Sequence, residues 1–484
     1  MDNQLKKKYG LITAIAMVVG TVIGSGVFFK AGKVLTNNNG NMAKSLLTVA
    51  IVGLIMLICS YVFSILAQRY EKVNGLVDYS EAACGPRYAY YVGWFVSTIY
   101  YPTLTSTLAW ISAQYTCTLF GWSAATDIHL AIAAFYLIAG YSLNALSPKL
   151  AGKFQVSATF IKLIPLLLMA VIGTVVGLIN GTTLDAMTAN IPVIGADGAP
   201  VNGNILTAVV AFAFAYEGWI ITTSINAELK NSKKNLPIAL VLGAVIVVAV
   251  YMLYFLGLTG ALTAEELMAS GDVPKDAFGA LFGNPIFGTI AYVFIIISCL
   301  GTMNGLMLGC CRGLYSIAIR GQGPAPKVFA QVDKETNMPT NSSIFGLLMC
   351  GLWLAQWQLG IGQAILGTDF FNSLVSAGNP DAIFGYLPKY IGWENDELPI
   401  ITLYAAYIPI FIVMMVKFKE LNIVKRFVFP ALAIIACVFM VYAAISAYKI
   451  QALYYLIVFA VVMIIGIPFY RKNAVSAESK SEEE

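Results

Sequence analysis

Three features inside the long apolar stretches of this 484-residue chain could bind a polar ligand: a Gly24-Ser25-Gly26 triplet, Lys162 and Glu217. Helix-breaking and ionisable residues are costly at such places because the hydrocarbon core of a bilayer offers no water to hydrogen-bond them. Each feature therefore marks either a functional site or a paired structural contact.

The glycine triplet lies near the middle of ITAIAMVVGTVIGSGVFFKAG, residues 12–32, which is long enough to cross a bilayer. Each glycine costs a helix interior about 1 kcal/mol relative to alanine, so we predict that the helix unwinds there. The freed N–H groups at the start of the outer half-helix, together with the helix dipole, would form an anion site. The alternative is that the glycines only let another helix pack closely.

The two charged residues lie in later apolar stretches. Lys162 is about two turns into FQVSATFIKLIPLLLMAVIG, where it could extend its ammonium to the membrane surface or exchange a coupling proton in a polar site. Glu217 is near the middle of another stretch, and its neighbours suggest a second broken helix beside a polar cavity: Phe214, Tyr216, Gly218 and Trp219. The alternative for Glu217 is a structural hydrogen bond to neighbouring helices.

The composition indicates a helical membrane protein. Hydrophobic residues make up 59% of the chain and charged residues 11%, against about 25% charged in soluble proteins. We predict twelve membrane-spanning helices: 11–31, 45–67, 88–119, 129–146, 155–179, 204–227, 237–260, 285–317, 342–358, 399–416, 427–446 and 451–470. We expect the third and eighth to be tilted or to extend beyond the membrane. The region 359–398 is predicted to be an ordered external loop with short helices.

The basic residues predict the orientation. With the N-terminus in the cytoplasm, 22 of the 29 lysines and arginines lie on the cytoplasmic side, six lie outside and Lys162 lies within a span. This bias obeys the positive-inside rule and places both termini in the cytoplasm, most simply of the plasma membrane. No cleavable signal peptide is apparent.

The sequence lacks the residue patterns that several classes of function require. The eight cysteines lie in or beside apolar stretches without the spacing of a zinc site or a disulfide framework. The single histidine, His129, is predicted at an outer loop, and no phosphate-binding glycine loop is present. We therefore expect no metal, no cofactor and no enzymatic activity.

The two interruptions are five spans apart, in the first and sixth spans. A five-span unit that repeats after an odd number of crossings has inverted topology. Paired broken helices in such repeats are the best sequence indication of a transport site at the membrane midplane.

Six short motifs resemble one transporter family, the amino acid–polyamine–organocation superfamily, and within it the L-type amino acid transporter branch. They occur in the family's order along the chain: Ile23-Gly24-Ser25-Gly26-Val27-Phe28, Lys162-Leu163, Phe214-Ala215-Tyr216-Glu217-Gly218-Trp219, Glu228-Leu229-Lys230-Asn231 with Lys234-Asn235-Leu236-Pro237, Ser298-Cys299-Leu300-Gly301-Thr302-Met303-Asn304-Gly305, and the loop from Arg320-Gly321 to Pro339. The resemblance covers the first ten spans.

The resemblance implies an all-α, LeuT-like fold of ten core helices in a five-plus-five inverted repeat, with helices one and six discontinuous, plus two peripheral helices. The corresponding parts of the chain are the N-terminus at 1–10, the core at 11–416 with repeats at 11–179 and 204–416, the peripheral helices at 417–470 and a disordered tail at 471–484.

The resemblance also implies a site for the head group of an α-amino acid. Ser25 and the Gly26 N–H would bind the carboxylate beside Gly24. The ammonium would be bound by the carbonyls of Val22, Phe214 and Glu217, next to Gly218 and Trp219. Phe214 would close over the substrate from outside. Lys162 would occupy the place where sodium-coupled relatives hold an ion, which predicts sodium independence and, with Glu217, a coupling role.

Two departures from the branch affect the prediction. Glu217 stands where the branch often has a small residue or an aspartate, and in the family an acid there goes with dibasic substrates, which favours a cationic or polar side chain. The predicted loop at 120–128 has no cysteine, so we expect no disulfide-linked ancillary subunit.

The leading hypothesis is therefore a secondary amino acid transporter that works by alternating access, either as an exchanger or as a proton-coupled symporter. A polyamine or cationic amine carrier is the first alternative, because it would use Glu217 without needing a carboxylate site. A membrane sensor that binds an amino acid without moving it is the second.

Overall fold

The fold is described from a computed structural model that covers residues 10–70, 75–123, 127–194, 200–201, 203–220, 229–362 and 390–472. Four predictions therefore concern parts outside the described residues: the first nine residues, the end of the sixth span with Glu228 (221–228), most of the external loop (363–389) and the tail (473–484).

The described chain is almost entirely helical. Its α-helices are α1 (Leu11–Val22), α2 (Gly26–Phe29), α3 (Ala31–Asn37), α4 (Met42–Arg69), α5 (Leu76–Cys84), α6 (Pro86–Phe95), α7 (Tyr101–Phe120), α8 (Asp127–Leu146), α9 (Pro148–Leu168), α10 (Thr174–Asn180), α11 (Thr182–Thr188), α12 (Ile205–Ala213), α13 (Ser232–Ala261), α14 (Ala264–Ala269), α15 (Val273–Leu281), α16 (Pro285–Ala318), α17 (Pro326–Phe329), α18 (Thr340–Trp357), α19 (Leu398–Lys417), α20 (Phe429–Tyr448) and α21 (Ile450–Gly466).

Short irregular segments join or extend these helices. Strands β1 (Val193–Ile194) and β2 (Pro200–Val201) form a small antiparallel ribbon, and two segments are 3₁₀-helical, Phe214–Tyr216 and Ile467–Phe469. Four segments are π-helical: Val96–Tyr100, Met169–Gly173, Gln358–Gly362 and Val424–Val428. The first two of these make α6–α7 and α9–α10 into continuous helices.

Ten helices of the described residues are long and apolar enough to cross a membrane. Two further helices account for the remaining predicted spans. The continuous helix of α6 and α7 lies at the third predicted span, and the shorter apolar helix Ile205–Tyr216 lies at the sixth. Each predicted span thus overlaps a helix of the described residues, the sixth in its first half. The helix of α6 and α7 is rich in serine and threonine, and their hydroxyls donate to carbonyls one turn earlier, as Thr98 does to Trp94 at 2.7 Å and Thr105 to Tyr101 at 2.7 Å.

The chain packs as two compact units. The first consists of Met1–Tyr79, Thr159–Ser298 and Tyr404–Ala447. In it α13 lies along α4, α1 and the end of the α9–α10 helix. Glycines allow main chains to touch there, because a Cβ on Gly173 would lie 2.8 Å from the Gly257 Cα and one on Gly177 would lie 2.8 Å from the Gly260 Cα. This close packing fixes α13 against the helix that carries Lys162.

The second unit consists of Ser80–Ala158, Cys299–Leu403 and Tyr448–Glu484. Its core contains a buried amide network: the Asn144 Nδ2 donates to the Asn304 Oδ1 at 2.9 Å, and the Asn304 Nδ2 donates to the Gln155 Oε1 at 3.0 Å. Buried amides of this kind are stable in an apolar core only when their hydrogen bonds are made, so the network specifies how three helices meet.

Candidate functional site

The first break lies between α1 and α2. Ile23 adopts an extended conformation, with φ −63° and ψ 97°, and its N–H still donates to the Val19 carbonyl at 2.8 Å. Ser25 then caps the start of α2, and its carbonyl accepts from the Phe28 N–H at 2.9 Å. The Ser25 side chain is fully buried, and among the described residues its Oγ has no hydrogen-bond partner. The predicted interruption of the first helix is confirmed.

The second break follows α12. The helix tightens into the 3₁₀ segment Phe214–Tyr216, and Glu217 is extended, with φ −79° and ψ 158°. Gly218 then adopts a φ of +106°, a conformation that side chains with a Cβ rarely take. A Cβ on Gly218 would also lie 2.8 Å from the Thr21 carbonyl oxygen of α1. The sixth helix is therefore discontinuous, as predicted.

The two breaks touch each other. A Cβ on Gly26 would lie 2.8 Å from the Ala215 Cα and 2.8 Å from the Phe214 Cδ1. The ring of Phe214 packs on that of Phe29, with centroids 5.4 Å apart. Close packing, the alternative explanation of the Gly26 motif, is thus present as well, and the surface that Gly26 meets is the other broken helix.

Tyr251 of α13 joins the breaks, and sequence reasoning missed it. Its fully buried hydroxyl lies 2.8 Å from the Ala215 carbonyl oxygen and 3.2 Å from that of Val22, and it accepts from the Gly24 N–H. A buried tyrosine hydroxyl in an apolar helix needs a partner, which was the available signal. The identity of that partner depends on the fold.

Lys162 also binds the first helix. Its Nζ donates to the Gly20 carbonyl at 2.7 Å, and the residue is 1% exposed. Lys162 is 14 residues after the start of α9, about 21 Å along the axis at 1.5 Å per residue. The side chain therefore serves a buried site, and the alternative of an ammonium extended to the membrane surface is wrong.

Glu217 is buried next to aromatic side chains. It interacts electrostatically with Cys59, Tyr404 and Tyr407. Trp219 is also buried, and Phe63 packs between Trp219 and Tyr407 at centroid distances of 5.5 and 4.8 Å. An acid beside several aromatic rings is an environment that can hold an ammonium or guanidinium group.

Other predicted groups lie elsewhere. His129 is buried in α8, where its Nε2 lies 3.1 Å from the Trp110 carbonyl oxygen; the prediction that it lies at an outer loop was wrong. All eight cysteines are free thiols. One set of acids at the start of α19 has a spacing that a metal ion could use, with ligand atoms within 4.8 Å of one another: Glu394, Asp396 and Glu397. A helix N-terminus also stabilises such acids without a metal.

Comparison with known proteins identifies the family. A family model described as amino acid permease matches residues 9–467. The chain belongs to this amino acid permease family. The permease is 30% identical over 338 residues to the serine/threonine exchanger SteT of Bacillus subtilis. The aligned region covers 70% of this chain and 74% of that protein. It is 28% identical over 382 residues to the human cystine/glutamate transporter, covering 75% and 74%.

A further relative is the human b(0,+)-type amino acid transporter 1, 28% identical over 349 residues, which covers 71% of the permease and 69% of that protein. Among solved structures, MhsT in complex with L-phenylalanine matches with a TM-score of 0.56 over 93% of the permease and 100% of that chain, at 16% identity. The fold is therefore the LeuT fold. The permease is a multi-pass membrane protein of amino acid transport and not an enzyme.

Proposed function

We propose that this permease carries L-amino acids across the plasma membrane by alternating access, without sodium, as an exchanger or a proton-coupled symporter. The observation that carries the proposal is the contact between the two broken helices at Gly26 and Ala215, with the buried Ser25 hydroxyl beside it. Main-chain N–H and C=O groups freed at one place complement a zwitterion, which is the part common to all α-amino acids.

Each half of the head group has its own partners in this proposal. The Ser25 Oγ and the Gly26 N–H bind the carboxylate, and the carbonyls of Val22, Phe214 and Glu217 bind the ammonium. Gly24 and Gly218 permit the turns on either side, and Trp219 lines the side-chain end. Phe214, already packed on Phe29, closes the site from outside.

Sodium independence rests on Lys162. Its ammonium donates to the Gly20 carbonyl and, while protonated, supplies a positive charge beside the first break, where a sodium ion would be redundant. The inverted repeats at 11–179 and 204–416, the cytoplasmic termini and the absence of a disulfide-linked subunit complete the proposal. The relative SteT is a serine/threonine exchanger, which favours the exchange mode for this permease.

Glu217 sets the preference for the substrate side chain. Its carboxylate beside Trp219, Tyr404 and Tyr407 favours cationic or polar side chains. The same observation supports the second candidate function, a carrier of polyamines or other cationic amines, which would use Glu217 alone.

A thermal-shift panel of the detergent-purified permease tests both candidates. The panel holds the twenty amino acids, agmatine and putrescine, and a ligand at a hundred times its dissociation constant adds about 2.7 kcal/mol of stability. Stabilisation by L-arginine but not by agmatine supports the carboxylate site, because agmatine lacks only that group. Stabilisation by amines alone would replace the amino acid proposal with the polyamine carrier.

The variant Glu217→Gln separates selection from folding in the same panel. If Glu217 faces the substrate side chain, the shift with L-arginine and L-lysine falls while that with L-serine stays. Equal loss for all three ligands would assign Glu217 to folding or proton coupling. Uptake into proteoliposomes with sodium or with choline outside, and with or without internal amino acid, then tests sodium independence and exchange.

A further inference from the structure

We propose that Tyr251 is a positioning residue of the amino acid site, which holds the two broken helices at the spacing that the substrate head group requires. The inference rests on the proposed function, because it assumes that the head group binds at the breaks. Tyr251 belongs to α13, an unbroken helix, and does not itself belong to either break.

One oxygen atom of Tyr251 meets three main-chain groups. Two come from the first break, the Gly24 N–H and the Val22 carbonyl, and one comes from the second, the Ala215 carbonyl. A phenol donates one proton and accepts through its lone pairs. The hydroxyl can therefore accept from Gly24 and donate to one carbonyl at a time, and the shorter distance, 2.8 Å, selects Ala215.

This arrangement leaves the Val22 carbonyl, at 3.2 Å, able to accept a stronger donor. An ammonium is such a donor, since hydrogen bonds from charged groups are about twice as strong as neutral ones. The Tyr251 hydroxyl thus holds the Gly24 N–H of the first break and the Ala215 carbonyl of the second, and it leaves the Val22 carbonyl able to accept from the substrate. Removing the hydroxyl leaves polar main-chain groups of both breaks without this partner, and their separation is no longer fixed.

The same helix supplies two matched controls. The Thr259 Oγ1 of α13 lies 2.8 Å from the Thr183 Oγ1 of α11, in a hydrogen bond between two buried side chains. Thr259→Val therefore removes a buried hydroxyl bond from α13 that touches neither break. The Tyr254 hydroxyl is buried and has no partner among the described residues, so Tyr254→Phe removes an oxygen without removing a bond there.

The test compares Tyr251→Phe, Thr259→Val and Tyr254→Phe with wild type in proteoliposomes, with radiolabelled L-serine and L-arginine as probes. We expect Tyr251→Phe to raise the KM for both probes by the same factor, about tenfold, because the head group is common to both. Thr259→Val and Tyr254→Phe should keep KM within twofold of wild type, even where Thr259→Val lowers the melting temperature as much as Tyr251→Phe does.

Amide hydrogen exchange gives a second readout that does not depend on transport. Tyr251→Phe should increase exchange in peptides covering 20–28 and 212–219 together, and Thr259→Val should not. Unchanged KM and exchange in Tyr251→Phe, or an equal rise in KM for Thr259→Val, would overturn the inference while leaving the proposed function intact. Wild type that takes up neither probe, nor any amino acid of the thermal-shift panel, would overturn both.

Discussion

The two helix breaks look alike in sequence and are made differently. Each has a glycine next to a polar residue within an apolar stretch, Gly26 after Ser25 and Gly218 after Glu217. Gly218 adopts a φ of +106° and also faces the Thr21 carbonyl. Gly26 keeps ordinary helical dihedrals as the first residue of α2, and it is glycine because Ala215 and Phe214 leave no space.

The difference separates two roles of glycine that sequence patterns do not distinguish. At Gly218 the main chain itself requires glycine, so a substitution is strained even if every neighbour moves away. At Gly26 the requirement is set by the neighbouring segment, whose main chain at Ala215 would have to move to admit a Cβ, but no unfavourable dihedral is added. The tolerance to substitution should therefore differ between the breaks.

We expect the largest effect from Gly218→Ala. The new Cβ adds an unfavourable backbone conformation, about 1–3 kcal/mol, to a contact 2.8 Å from the Thr21 carbonyl oxygen. Uptake of the amino acid that gives the largest thermal shift should fall about a hundredfold in proteoliposomes at low substrate concentration. Gly351→Ala is the control, because Gly351 has an ordinary φ in α18 and open space around its Cβ position; it should transport like wild type.

Gly26→Ala should have a smaller effect. It brings no dihedral strain, so the cost is the displacement of Ala215 and Phe214, which we expect to reduce affinity about tenfold. The larger Gly26→Val should abolish uptake. The comparison between the breaks fails if Gly26→Ala is more damaging than Gly218→Ala when both are measured at matched expression.

Lys162→Met tests the hydrogen bond by which α9 holds the first helix near its break. Loss of the bond to the Gly20 carbonyl should slow turnover about fivefold and change its pH response while the melting temperature falls only slightly. Lys153→Met, on the same helix but exposed, is the control and should leave uptake unchanged. Wild-type kinetics and pH response in Lys162→Met would remove the lysine from the mechanism.

The smallest effect concerns the segment outside the first break. Asp272 accepts from the Lys275 N–H at 3.2 Å at the start of α15, which packs on α2 and α3. Burial raises the pKa of Asp272, with the Asp276 charge adding to it and hydrogen bonds from Lys275 and Tyr292 opposing it; Tyr254 also interacts with the carboxylate. The packed form therefore binds the proton more tightly than an exposed aspartate.

The raised pKa sets the direction in which the packing of α15 changes with pH. The contribution of Asp272 to packing is fully present below the ordinary aspartate pKa, about 3.9, and is lost as pH rises through the raised value. Exchange of the amides at 273–281, corrected for intrinsic rates, should increase up to about threefold over that range. Asp272→Asn should abolish the increase. Glu265→Gln, exposed in α14, should retain it; an unchanged profile in Asp272→Asn would assign the titration to another group.

The helices and their breaks could be predicted from local sequence, since glycines within an apolar stretch indicate a place where a helix is interrupted. The residues that bond to the breaks could not be predicted in this way. Lys162 bonds a residue 142 positions away, and Tyr251 bonds residues 229 and 36 positions away, so only the packed structure brings them together. The depth of Lys162 was underestimated because α9 begins earlier than predicted, at Pro148. His129 was assigned to a loop because polarity alone does not show a buried bond.

The glycine contacts between the α9–α10 helix and α13 have a mechanical consequence. Gly173 and Gly177 place main chain directly on Gly257 and Gly260, so sliding one helix along the other would bring main-chain atoms into collision. Lys162 and Tyr251 are thus mounted on one frame: Lys162 bonds the Gly20 carbonyl of α1, and Tyr251 accepts from the Gly24 N–H just beyond the end of α1. Moving the end of α1 away from this frame stretches both bonds, so we expect the two to be lost together.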